Sequence, residues 1–410
     1  MPKKRGASVK SAEPSVRLSA RGVARLQARH PWAYRSDVDV AGDIPPGALV
    51  RVFDSRGKFL GSALYSSSSQ IAIRMISHGS VLDLPALVAD RIRAAIAYRK
   101  ALVSDTDAYR IVFSEADFLP GLIVDRYNDV ITLQILTQAV DAAPVREAAL
   151  ETLREQLQPA GIIERVDVRI RELEQLPPRQ SGLLWGAKSS TIINMNGVQA
   201  SGAETGAVRF YYDGLEGQKT GAFLDQRENY AAAARYAHGE ALDAFCYQGA
   251  FALHLAASCS KVTGVDRSRP ALEMAENNAL LNGRELDWIE ANAFDLLRDY
   301  AAQNRRYDTI VLDPPAFAKT KRDLEKALGG YKELNLRAMK MLRPGGILVT
   351  CSCSFHVSPA DFLKVVADAA QDAHKSLRVL EHRGAAKDHP ILLNVPETDY
   401  LQCLIIAVSN

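Results

Sequence analysis

The stretch from Leu242 to Asp266 constrains the fold of this chain more than any other part of the sequence. It opens on a short apolar run that predicts a buried strand, and then crosses a turn of small residues that ends at Gly249. A helical run follows from Ala250 to Ser258, and a second apolar run, Val262 to Val265, precedes the closing acid. A strand, a tight turn, a helix and a second strand that ends in an acid form the plan of a nucleotide-type pocket on a parallel sheet.

The same stretch indicates the ligand of this pocket. The start of the helix offers backbone N–H groups, and Asp266 can accept hydrogen bonds from both hydroxyls of a ribose. The Gly-x-Gly-x-x-Gly pattern, which lets a backbone approach a pyrophosphate, is missing from the stretch. The sequence therefore favours an adenosine without phosphates, as in S-adenosyl-L-methionine, and disfavours NAD. A purely structural strand-helix-strand unit is the alternative.

The residues expected to contact this cofactor lie at the ends of successive strands. Asp266 is assigned to the ribose. The others are assigned to the methionine part or, for the last two, to the adenine: Asp243, Phe245, Tyr247, Gly249, Asn292 and Ala293.

The composition is that of an ordinary globular protein, with 47% apolar and 24% charged residues and a net charge of +2. At 410 residues the chain exceeds one comfortable core, so two or three domains are expected. No apolar run approaches the length of a membrane span, and no apolar segment of the secretory type follows the basic N-terminus. The five cysteines are odd in number, which argues against a disulfide framework. We expect a cytoplasmic protein with reduced thiols and no membrane partner.

Basic residues crowd the N-terminal region. Nine lysines and arginines precede residue 36, against one acid, and residues 1–15 are expected to form a disordered basic tail. Ser19 then caps a helical run in which arginines recur at every fourth position, and this spacing puts them on one side of a helix: Arg17, Arg21, Arg25 and Arg29. A solvated helix face explains the pattern, and so does a stripe that contacts RNA phosphates. The second interpretation assigns RNA binding to Arg21, Arg25 and Arg29.

Residues 16–80 are expected to form a small β-barrel. Short alternating strands follow the helix at Leu49–Phe53, Phe59–Tyr65 and Ile71–Ile76, with turn residues between them. The order of the helix and these strands resembles a PUA domain over residues 16–78. That resemblance implies a barrel that binds RNA.

The central region, residues 81–205, is predicted to be an α+β domain. Two helices, Leu84–Leu102 and Ala143–Leu157, flank a hairpin whose turn lies at residues 127–129. Further short strands run to about Phe210. We find no residues with a chemistry of their own here, which favours a docking surface or a spacer.

Residues 206–410 are expected to form a Rossmann-like α/β domain. Strands and helices alternate after Asp266, and repeated βα units predict a doubly wound parallel sheet that binds ligands at the carboxyl ends of its strands. The expected strands are Leu286–Ile289, Thr309–Leu312, Ile347–Cys351 and Leu401–Val408. Ahead of the sheet, Asp225 can cap the helix that runs to Tyr236.

Two more strand ends carry residues suited to chemistry. One is the Asp313-Pro314-Pro315-Ala316-Phe317 loop, in which the prolines stiffen the backbone and Phe317 offers a flat face for a base. A strand-terminating turn is the alternative there. The other is the run from Thr350 to Ser354, which holds Cys351 and Cys353. We expect one thiol to face the interior of the sheet and the other the crevice. A C-x-C pair without further ligands does not predict a metal, so the choice is between a nucleophile and two inert buried cysteines.

Together these motifs resemble a known family. Residues 206–410 look like a class I S-adenosylmethionine-dependent methyltransferase. With the PUA-like barrel, the Gly217–Arg227 segment and the cysteine motif, the whole chain resembles the RlmI-like family of bacterial 23S rRNA cytosine-C5 methyltransferases. The resemblance implies S-adenosyl-L-methionine as the cofactor and ribosomal RNA as the partner. It also implies cofactor contacts from Phe223, Asp225 and Arg227.

The resemblance further implies roles for the residues at the two later strand ends. Counted forward from Gly345-Gly346, the nucleophilic cysteine of the family corresponds to Cys353 and not to Cys351. Asp313 would contact the cofactor and hydrogen bond to the base at N3, and Phe317 would hold a base unstacked from the RNA. The Asp313 loop has no second cysteine, which departs from many related enzymes.

Other functions remain open on the sequence alone. Acid-Pro-Pro loops also serve nitrogen acceptors, so an N-methyltransferase acting on guanine in rRNA is the first alternative. A non-catalytic RNA-binding ribosome assembly factor is the second, and a dinucleotide-dependent oxidoreductase is disfavoured by the absent phosphate loop. His356 and His389 are candidates for the group that removes the C5 proton, but neither is assigned. The sequence does not fix the oligomeric state, and a homodimer is one option.

Overall fold

The structure, a computed structural model, describes residues 14–40, 42–195, 199–200, 203–204, 207–216, 221–318 and 320–409. Most of the expected basic tail and the 217–220 part of the Gly217–Arg227 segment therefore lie outside the described residues. The last residue of that tail, Ser15, already belongs to the first strand.

The N-terminal unit is a six-stranded sheet with one helix. Its elements are β1 (Ser15–Leu18), α1 (Ala20–Gln27), β2 (Trp32–Tyr34), β3 (Val38–Val40), β4 (Leu49–Phe53), β5 (Phe59–Tyr65) and β6 (Ile71–Ser77). The strand order is β2-β6-β5-β4-β1-β3, and a single turn of 3-10 helix, Arg35–Asp37, joins the two edge strands. The small barrel predicted from the sequence is confirmed.

The helix of this unit is shorter than the arginine spacing suggested. Ser19 caps it as expected, with its Oγ accepting a hydrogen bond from the Gly22 N–H at 3.2 Å. Arg17, however, lies in β1, and Arg29 follows the helix in a left-handed conformation with φ of 63°. Only Arg21 and Arg25 lie on α1, so the expectation of a four-arginine helix face is wrong. Because Pro31 disfavours helical backbone in the residue before it, the helix ends ahead of it.

The central unit packs two helices against one face of a five-stranded sheet. Its elements are α2 (Leu84–Leu102), β7 (Ala108–Phe113), β8 (Leu122–Tyr127), β9 (Val130–Ile135), α3 (Gln138–Asp141), α4 (Ala143–Leu157), β10 (Gly161–Glu164), α5 (Val168–Leu173) and β11 (Gly182–Gly186). The strand order is β11-β10-β9-β8-β7. Buried aliphatic residues such as Ile92, Leu153 and Ile162 fill the space between α2, α4 and the sheet.

A two-stranded ribbon leads from the central unit to the C-terminal unit. It consists of β12 (Ser190–Met195) and β15 (Val208–Asp213), with the short strands β13 (Gln199–Ala200) and β14 (Ala203–Glu204) paired at its far end. Tyr212 of the ribbon stacks on Tyr127 of the central sheet, with ring centroids 3.7 Å apart. The ribbon therefore shares a core with both of its neighbours.

The C-terminal unit is a seven-stranded sheet with helices on both faces. Its elements are α6 (Arg227–Tyr236), β16 (Gly239–Ala244), α7 (Ala250–Leu255), β17 (Cys259–Asp266), α8 (Arg269–Leu281), β18 (Asp287–Glu290), α9 (Ala293–Ala302), β19 (Tyr307–Leu312), α10 (Leu324–Met341), β20 (Leu342–Ser352), α11 (Pro359–Ala373), β21 (Ser376–Arg383) and β22 (Gln402–Ser409). The strand order is β18-β17-β16-β19-β20-β22-β21.

The Rossmann-like sheet expected from the sequence is confirmed, with one difference in direction. The five strands from β16 to β20 are parallel, whereas β22 lies antiparallel between β20 and β21. β22 is almost wholly buried, so its apolar run predicts a central strand but carries no sign of its direction. β21 was not predicted, because most of its residues are exposed or half-buried and charges interrupt its apolar positions.

The connection from β21 to β22, residues 384–401, ties the C-terminal unit to the central unit. The backbone carbonyl of Asp388 accepts a hydrogen bond from Arg99 at 2.8 Å, and its carboxylate accepts one from the Arg110 N–H at 2.7 Å. Although burial opposes it, the charges of His389 and Arg227 lower the pKa of Asp388 below its ordinary value. An ionised carboxylate therefore anchors the 384–401 connection beside the carboxyl ends of the sheet strands.

Candidate active site

The turn from β16 to α7 has the strained geometry of a ligand-binding turn. Phe245, Tyr247 and Gly249 all have positive φ, at 70°, 49° and 82°. A Cβ on Gly249 would lie 2.7 Å from the Trp288 ring, so this position requires glycine. The turn brings the backbone of residues 245–249 to the carboxyl end of the sheet, where Asp243 is the last residue but one of β16.

Asp243 lies beneath this turn and is only 1% exposed. Its Oδ2 accepts a hydrogen bond from the Ala252 N–H at 2.9 Å, while its Oδ1 is buried and has no hydrogen-bond partner among the described residues. Burial raises the pKa of Asp243 well above its ordinary value, and repulsion from Asp313 and Asp266 adds to this against the Ala252 hydrogen bond. Three carboxylates thus face one pocket, and one of them has an unsatisfied oxygen.

Asp266 and Asn292 come together because β17 and β18 end side by side. Asp266 accepts hydrogen bonds from the N–H groups of Tyr247 at 3.0 Å and Ser268 at 2.9 Å, which fixes its carboxylate at the mouth of the turn. Asn292 caps α9, with its side chain accepting from the Phe294 N–H at 2.9 Å. Ala293 is the first residue of α9 and is 5% exposed. These three residues lie at the carboxyl ends of the neighbouring strands β17 and β18, and the ribose and adenine contacts assigned to them stay a prediction.

The segment from Gly221 to Arg227 packs against the turn from β16 to α7. The Phe223 ring meets the Tyr247 ring edge-on, with centroids 5.3 Å apart. Asp225 is buried in a 3-10 turn and accepts a hydrogen bond from the Tyr400 hydroxyl at 2.6 Å. Gln226, and not Asp225, occupies the N-cap of α6, so the expected capping role of Asp225 is wrong. The tertiary partner Tyr400 explains why an acid stands there.

Arg227 has partners other than the residues of the predicted cofactor pocket. Its guanidinium reaches Asp105 at 3.2 Å and Asp388 at 3.4 Å, and its side chain is 1% exposed. The cofactor contact expected of Arg227 stays a prediction. These ion pairs indicate that Arg227 affects the cofactor pocket only indirectly, by fixing the position of the 384–401 connection.

Replacing Arg227 by glutamine should therefore lower stability more than cofactor binding. We expect the free energy of unfolding to fall by about 3 kcal/mol, because the change removes one partner of a buried ion pair. Thermal unfolding and calorimetry with S-adenosyl-L-methionine check this together. A folded variant with greatly weakened cofactor binding would instead support the direct contact.

The loop after β19 carries Asp313 and Phe317 towards the same pocket. Asp313 accepts a hydrogen bond from the Gln226 side chain at 3.0 Å, which joins this loop to the Gly221–Arg227 segment. Phe317 is half-buried, and its ring lies 4.8 Å from that of Tyr331 and 5.8 Å from that of Phe294, centroid to centroid. Asp313 therefore joins this loop to the segment before α6, and Phe317 packs against the core beside α9 and α10.

The two thiols of the cysteine motif face different surroundings, as expected. Cys351 is fully buried within β20, where burial and its neighbour Cys403 raise its pKa well above the ordinary value. Cys353 is half-buried, and its Sγ lies 3.9 Å from the backbone carbonyl oxygen of Pro314. Residues two apart in a strand share a face, so alternation alone does not separate these thiols. They diverge because β20 ends at Ser352 and the chain turns towards the Asp313 loop.

The N-terminal arginines are only partly available for a ligand. Arg21 donates to the buried carboxylate of Asp37 at 2.7 Å, and although burial opposes it, the hydrogen bonds from Arg21 and Ser19 lower the pKa of Asp37. Arg25 lies over the Tyr34 ring at 4.3 Å from its centroid. Arg29 is exposed beside a cleft of about 360 Å³ between the three units. Arg25 and Arg29 are thus better placed than Arg21 to contact a polyanion.

Neither histidine considered for proton transfer gains a role from its surroundings. His389 is 3% exposed and lies beside Asp388 and against the Phe113 ring. The His356 ring packs edge-on against Phe355. Within the described ranges, no three His, Cys, Asp or Glu side chains are close enough to hold a metal ion. In the same part of the chain, none of the helices combines the length and apolarity needed to span a bilayer.

Sequence reasoning missed Gln226, Tyr331 and Tyr400 as members of this site. Gln226 lies within the Gly217–Arg227 segment, next to Asp225, which was predicted to contact the cofactor. Its position in that segment could have identified it as a site residue. Tyr400 sits in an irregular connection with no motif around it, and Tyr331 lies inside an amphipathic helix. Neither tyrosine could have been found without the fold.

Two family models match the chain. A PUA-like domain matches residues 16–78, and an S-adenosylmethionine-dependent methyltransferase matches residues 196–396. Among curated proteins, the ribosomal RNA large subunit methyltransferase I of Shewanella denitrificans is 39% identical over 395 residues, 93% of this chain and 96% of the relative. That of Photobacterium profundum is 36% identical over 388 residues, 92% and 95% of the two chains. This chain belongs to the family of the ribosomal RNA large subunit methyltransferases I.

Solved structures show the same fold over nearly the whole chain. A methyltransferase complexed with SAH superimposes with a TM-score of 0.80 at 18% identity, covering 96% of this chain and all of the other. An S-adenosylmethionine-dependent methyltransferase from Streptococcus mutans gives 0.78 at the same identity and coverage. As a member of its family, the chain is an enzyme that uses S-adenosyl-L-methionine.

The pocket fits this cofactor better than a dinucleotide. The unpartnered Asp243 Oδ1 is a ready acceptor for an ammonium group. Burial raises the pKa of Asp243 and the charges of Asp313 and Asp266 add to this, so a positive charge beside these acids would be favourable. The sulfonium and α-ammonium groups of S-adenosyl-L-methionine supply that charge, whereas a diphosphate would add to the repulsion.

Proposed function

We propose that this methyltransferase transfers a methyl group to C5 of a cytosine in large-subunit ribosomal RNA, through a covalent bond between Cys353 and C6. The names of its relatives support ribosomal RNA as the substrate. The observation that carries the proposal is the position of the half-buried Cys353 thiol against the Asp313-Pro314 loop, while Cys351 is sealed in the sheet.

The chemistry of the base explains why a thiol is needed. C5 of cytosine is a poor nucleophile, and addition of the Cys353 thiolate to C6 gives it enamine character. C5 can then take the methyl group from the sulfonium of S-adenosyl-L-methionine, which would leave as S-adenosyl-L-homocysteine. Loss of the C5 proton and expulsion of the thiolate would complete the reaction. The nucleophile needs some thiolate character at neutral pH, and burial raises the pKa of Cys351, which disfavours that thiol.

The Asp313 loop would hold the base while the bond forms. Asp313 is proposed to hydrogen bond to N3, which stabilises the negative charge that develops on the ring as the thiolate adds. N3 of a neutral cytosine has no hydrogen, so this bond needs one proton, which is taken up from solvent when the base binds and is then shared between N3 and the Asp313 carboxylate. Phe317 is proposed to stack on a base that has left the RNA helix. The Gln226 side chain keeps Asp313 at the boundary between base and cofactor.

The remaining site residues would bind S-adenosyl-L-methionine, which supplies an activated methyl group. We propose that Asp243 with the Phe245–Gly249 turn and Phe223 hold the methionine part, Asp266 the ribose, and Asn292 with Ala293 the adenine. Asp225 is proposed to affect cofactor binding indirectly, because its hydrogen bond with Tyr400 fixes the side of the pocket that these two residues form.

A guanine N-methyltransferase is the second candidate, favoured by the Asp313-Pro314-Pro315 sequence itself. The decisive experiment is mass spectrometry of rRNA nucleosides from cells that lack the gene, compared with the parent strain. Loss of 5-methylcytidine from the large-subunit rRNA is the expected result. Loss of an N-methylguanosine with unchanged 5-methylcytidine would overturn the proposal.

We further propose a division of labour among residues 16–80, 81–205 and 206–410. The PUA-like unit would bind RNA, the central unit would set its distance from the active site, and the C-terminal unit would carry out the chemistry in the cytoplasm. The expectation of a homodimer stays a prediction, which the molar mass in solution tests.

The RNA-binding role of the arginines can be tested without harming the barrel. The double change Arg25→Gln/Arg29→Gln should weaken RNA binding and reduce the slope of log K against log salt by about 0.7–0.9 for each phosphate that the variant no longer neutralises. Arg21 is left intact because it neutralises buried Asp37. The matched control is Arg284→Gln/Lys364→Gln, which removes the same charge from exposed sites on the C-terminal unit. Equal salt slopes for both variants would mean that Arg25 and Arg29 belong to an ordinary solvated surface and do not contact RNA.

A further inference from the structure

Two serines flank the Cys353 thiol, and both bond to one buried hydroxyl. Ser352 donates to the Tyr331 hydroxyl oxygen at 3.0 Å, and the Ser354 Oγ lies 3.0 Å from the same oxygen. Tyr331, Ser352 and Ser354 are each 1% exposed. Tyr331 belongs to α10, so a helix outside the sheet reaches the residues on both sides of the thiol.

Ser354 extends this network to the loop that carries Asp313. Its Oγ accepts hydrogen bonds from the backbone N–H groups of Phe317 at 3.0 Å and Ala318 at 3.3 Å. A hydroxyl oxygen has two lone pairs, so both are used and the hydrogen of Ser354 points to Tyr331. One chain of hydrogen bonds therefore runs from the thiol segment through Ser354 to the far end of the Asp313–Phe317 loop.

The Tyr331 hydroxyl stays neutral throughout the working pH range and accepts hydrogen bonds from both serines. Burial raises its pKa to about 12, against the hydrogen bonds from Ser352 and Ser354, which lower it. Its ring is fixed as well, edge-on to Phe362 at 5.4 Å and tilted against Phe317 at 4.8 Å between centroids. A fixed, uncharged hydroxyl cannot take up the C5 proton, but it can hold two loops in register.

We propose that Tyr331 is a positioning residue that sets the Cys353 thiol relative to the Asp313–Phe317 loop, and so relative to C6 of the bound base. This inference rests on the proposed function, because it assigns Tyr331 a role in the attack of that thiol. Among the described residues, none of the three hydroxyl groups is seen to hydrogen bond to a residue that the proposal assigns to the cofactor. Loss of the Tyr331 hydroxyl should therefore slow the attack without weakening cofactor binding.

The test is Tyr331→Phe, which keeps the ring contacts and removes only the hydroxyl. We expect kcat to fall by about 10- to 100-fold, since small displacements of a reacting group cost up to that much. The KM and Kd for S-adenosyl-L-methionine should not change. Ser354→Ala should give a similar loss, and the double variant no more than the larger single effect, because both changes break one network.

A mechanism-based trap separates positioning from a general loss of structure. RNA transcribed with 5-fluorocytidine keeps its C5 substituent, so the Cys353 adduct cannot eliminate and accumulates. Its rate of formation should fall in Tyr331→Phe by the same factor as kcat. The matched control is Tyr307→Phe, a buried tyrosine at the opposite end of β19, which should leave both rates unchanged.

Each outcome of this trap decides something. An adduct that forms in Tyr331→Phe at the unaltered rate overturns the positioning role and leaves the proposed function intact. Equal losses in Tyr331→Phe and Tyr307→Phe do the same, since they indicate a general effect on the fold. If the unaltered enzyme methylates rRNA but forms no adduct, both the covalent mechanism and the inference fail.

Discussion

Replacing Cys353 by alanine should abolish methyl transfer, with a loss of about 10⁴-fold or more. The proposed reaction has no route to an activated C5 without a sulfur at C6, so little activity should remain. The thiol is half-buried at the end of β20, and its removal leaves no large cavity in the core. The variant should therefore fold and bind S-adenosyl-L-methionine normally, as calorimetry and thermal unfolding can check. Transfer of labelled methyl groups to unmodified rRNA measures the loss.

Cys351→Ala is the matched control for this change. It removes an identical atom two residues away, but one that lies opposite Cys403 inside the sheet. We expect a modest loss of stability from the small cavity and methyl transfer of the same order as that of the unaltered enzyme. Full activity in Cys353→Ala would exclude a covalent C5 mechanism and favour a nitrogen acceptor. Loss of activity only in Cys351→Ala would mean that the wrong thiol was chosen.

Local patterns predicted much of this fold because they are dictated by short-range physics. The bounds of β4, β5, α2 and α4 agree to the residue with those expected from alternation and helical periodicity. The acids at the ends of β16 and β17 also fall where a parallel sheet collects its ligands. These features depend on neighbours in sequence, and the sequence shows them directly.

The features that were wrong depend on partners far away in the chain. The local sequence predicts that Asp225 caps a helix, but in the structure its partner is Tyr400, 175 residues later in the chain. The arginine spacing reads as one helix face, but β1 pairs Arg17 with Asp39, so the chain is extended there. β22 pairs antiparallel with both β20 and β21, a direction that its apolar residues do not encode. Tertiary contacts decide such cases, and no local pattern contains them.

Asp243→Asn should weaken cofactor binding and stabilise the free enzyme at the same time. The side-chain oxygen of asparagine can still accept the hydrogen bond from the Ala252 N–H. Asparagine carries no charge, and its NH2 group takes the place of the unpartnered Oδ1. Loss of a charged hydrogen bond costs about 1.5–3 kcal/mol, so the Kd for S-adenosyl-L-methionine should rise by about 10- to 100-fold. Calorimetry measures this. The matched control is Asp287→Asn, an exposed carboxylate near the start of β18 that pairs with Lys261.

The stability gain should depend on pH in a direction fixed by the raised pKa of Asp243. Burial and the charges of Asp313 and Asp266 keep this carboxyl protonated in the folded state at pH values where the unfolded chain has lost the proton. The folded state then binds more protons, so stability falls as pH rises from about 4, the unfolded value, to the raised pKa. Asparagine avoids this loss. The melting temperature of Asp243→Asn should therefore exceed that of the unaltered enzyme by a margin that grows over this range and is constant above it.

The same linkage predicts how the cofactor binds. A cationic ligand favours the ionised form of Asp243, so binding should tighten as pH rises through the raised pKa and should release a proton below it. The variant has no such proton to release, and its Kd should vary less with pH. Calorimetry in buffers of different ionisation enthalpy counts the proton directly. Equal proton release from Asp243→Asn and the unaltered enzyme would show that another group carries the charge that faces the cofactor.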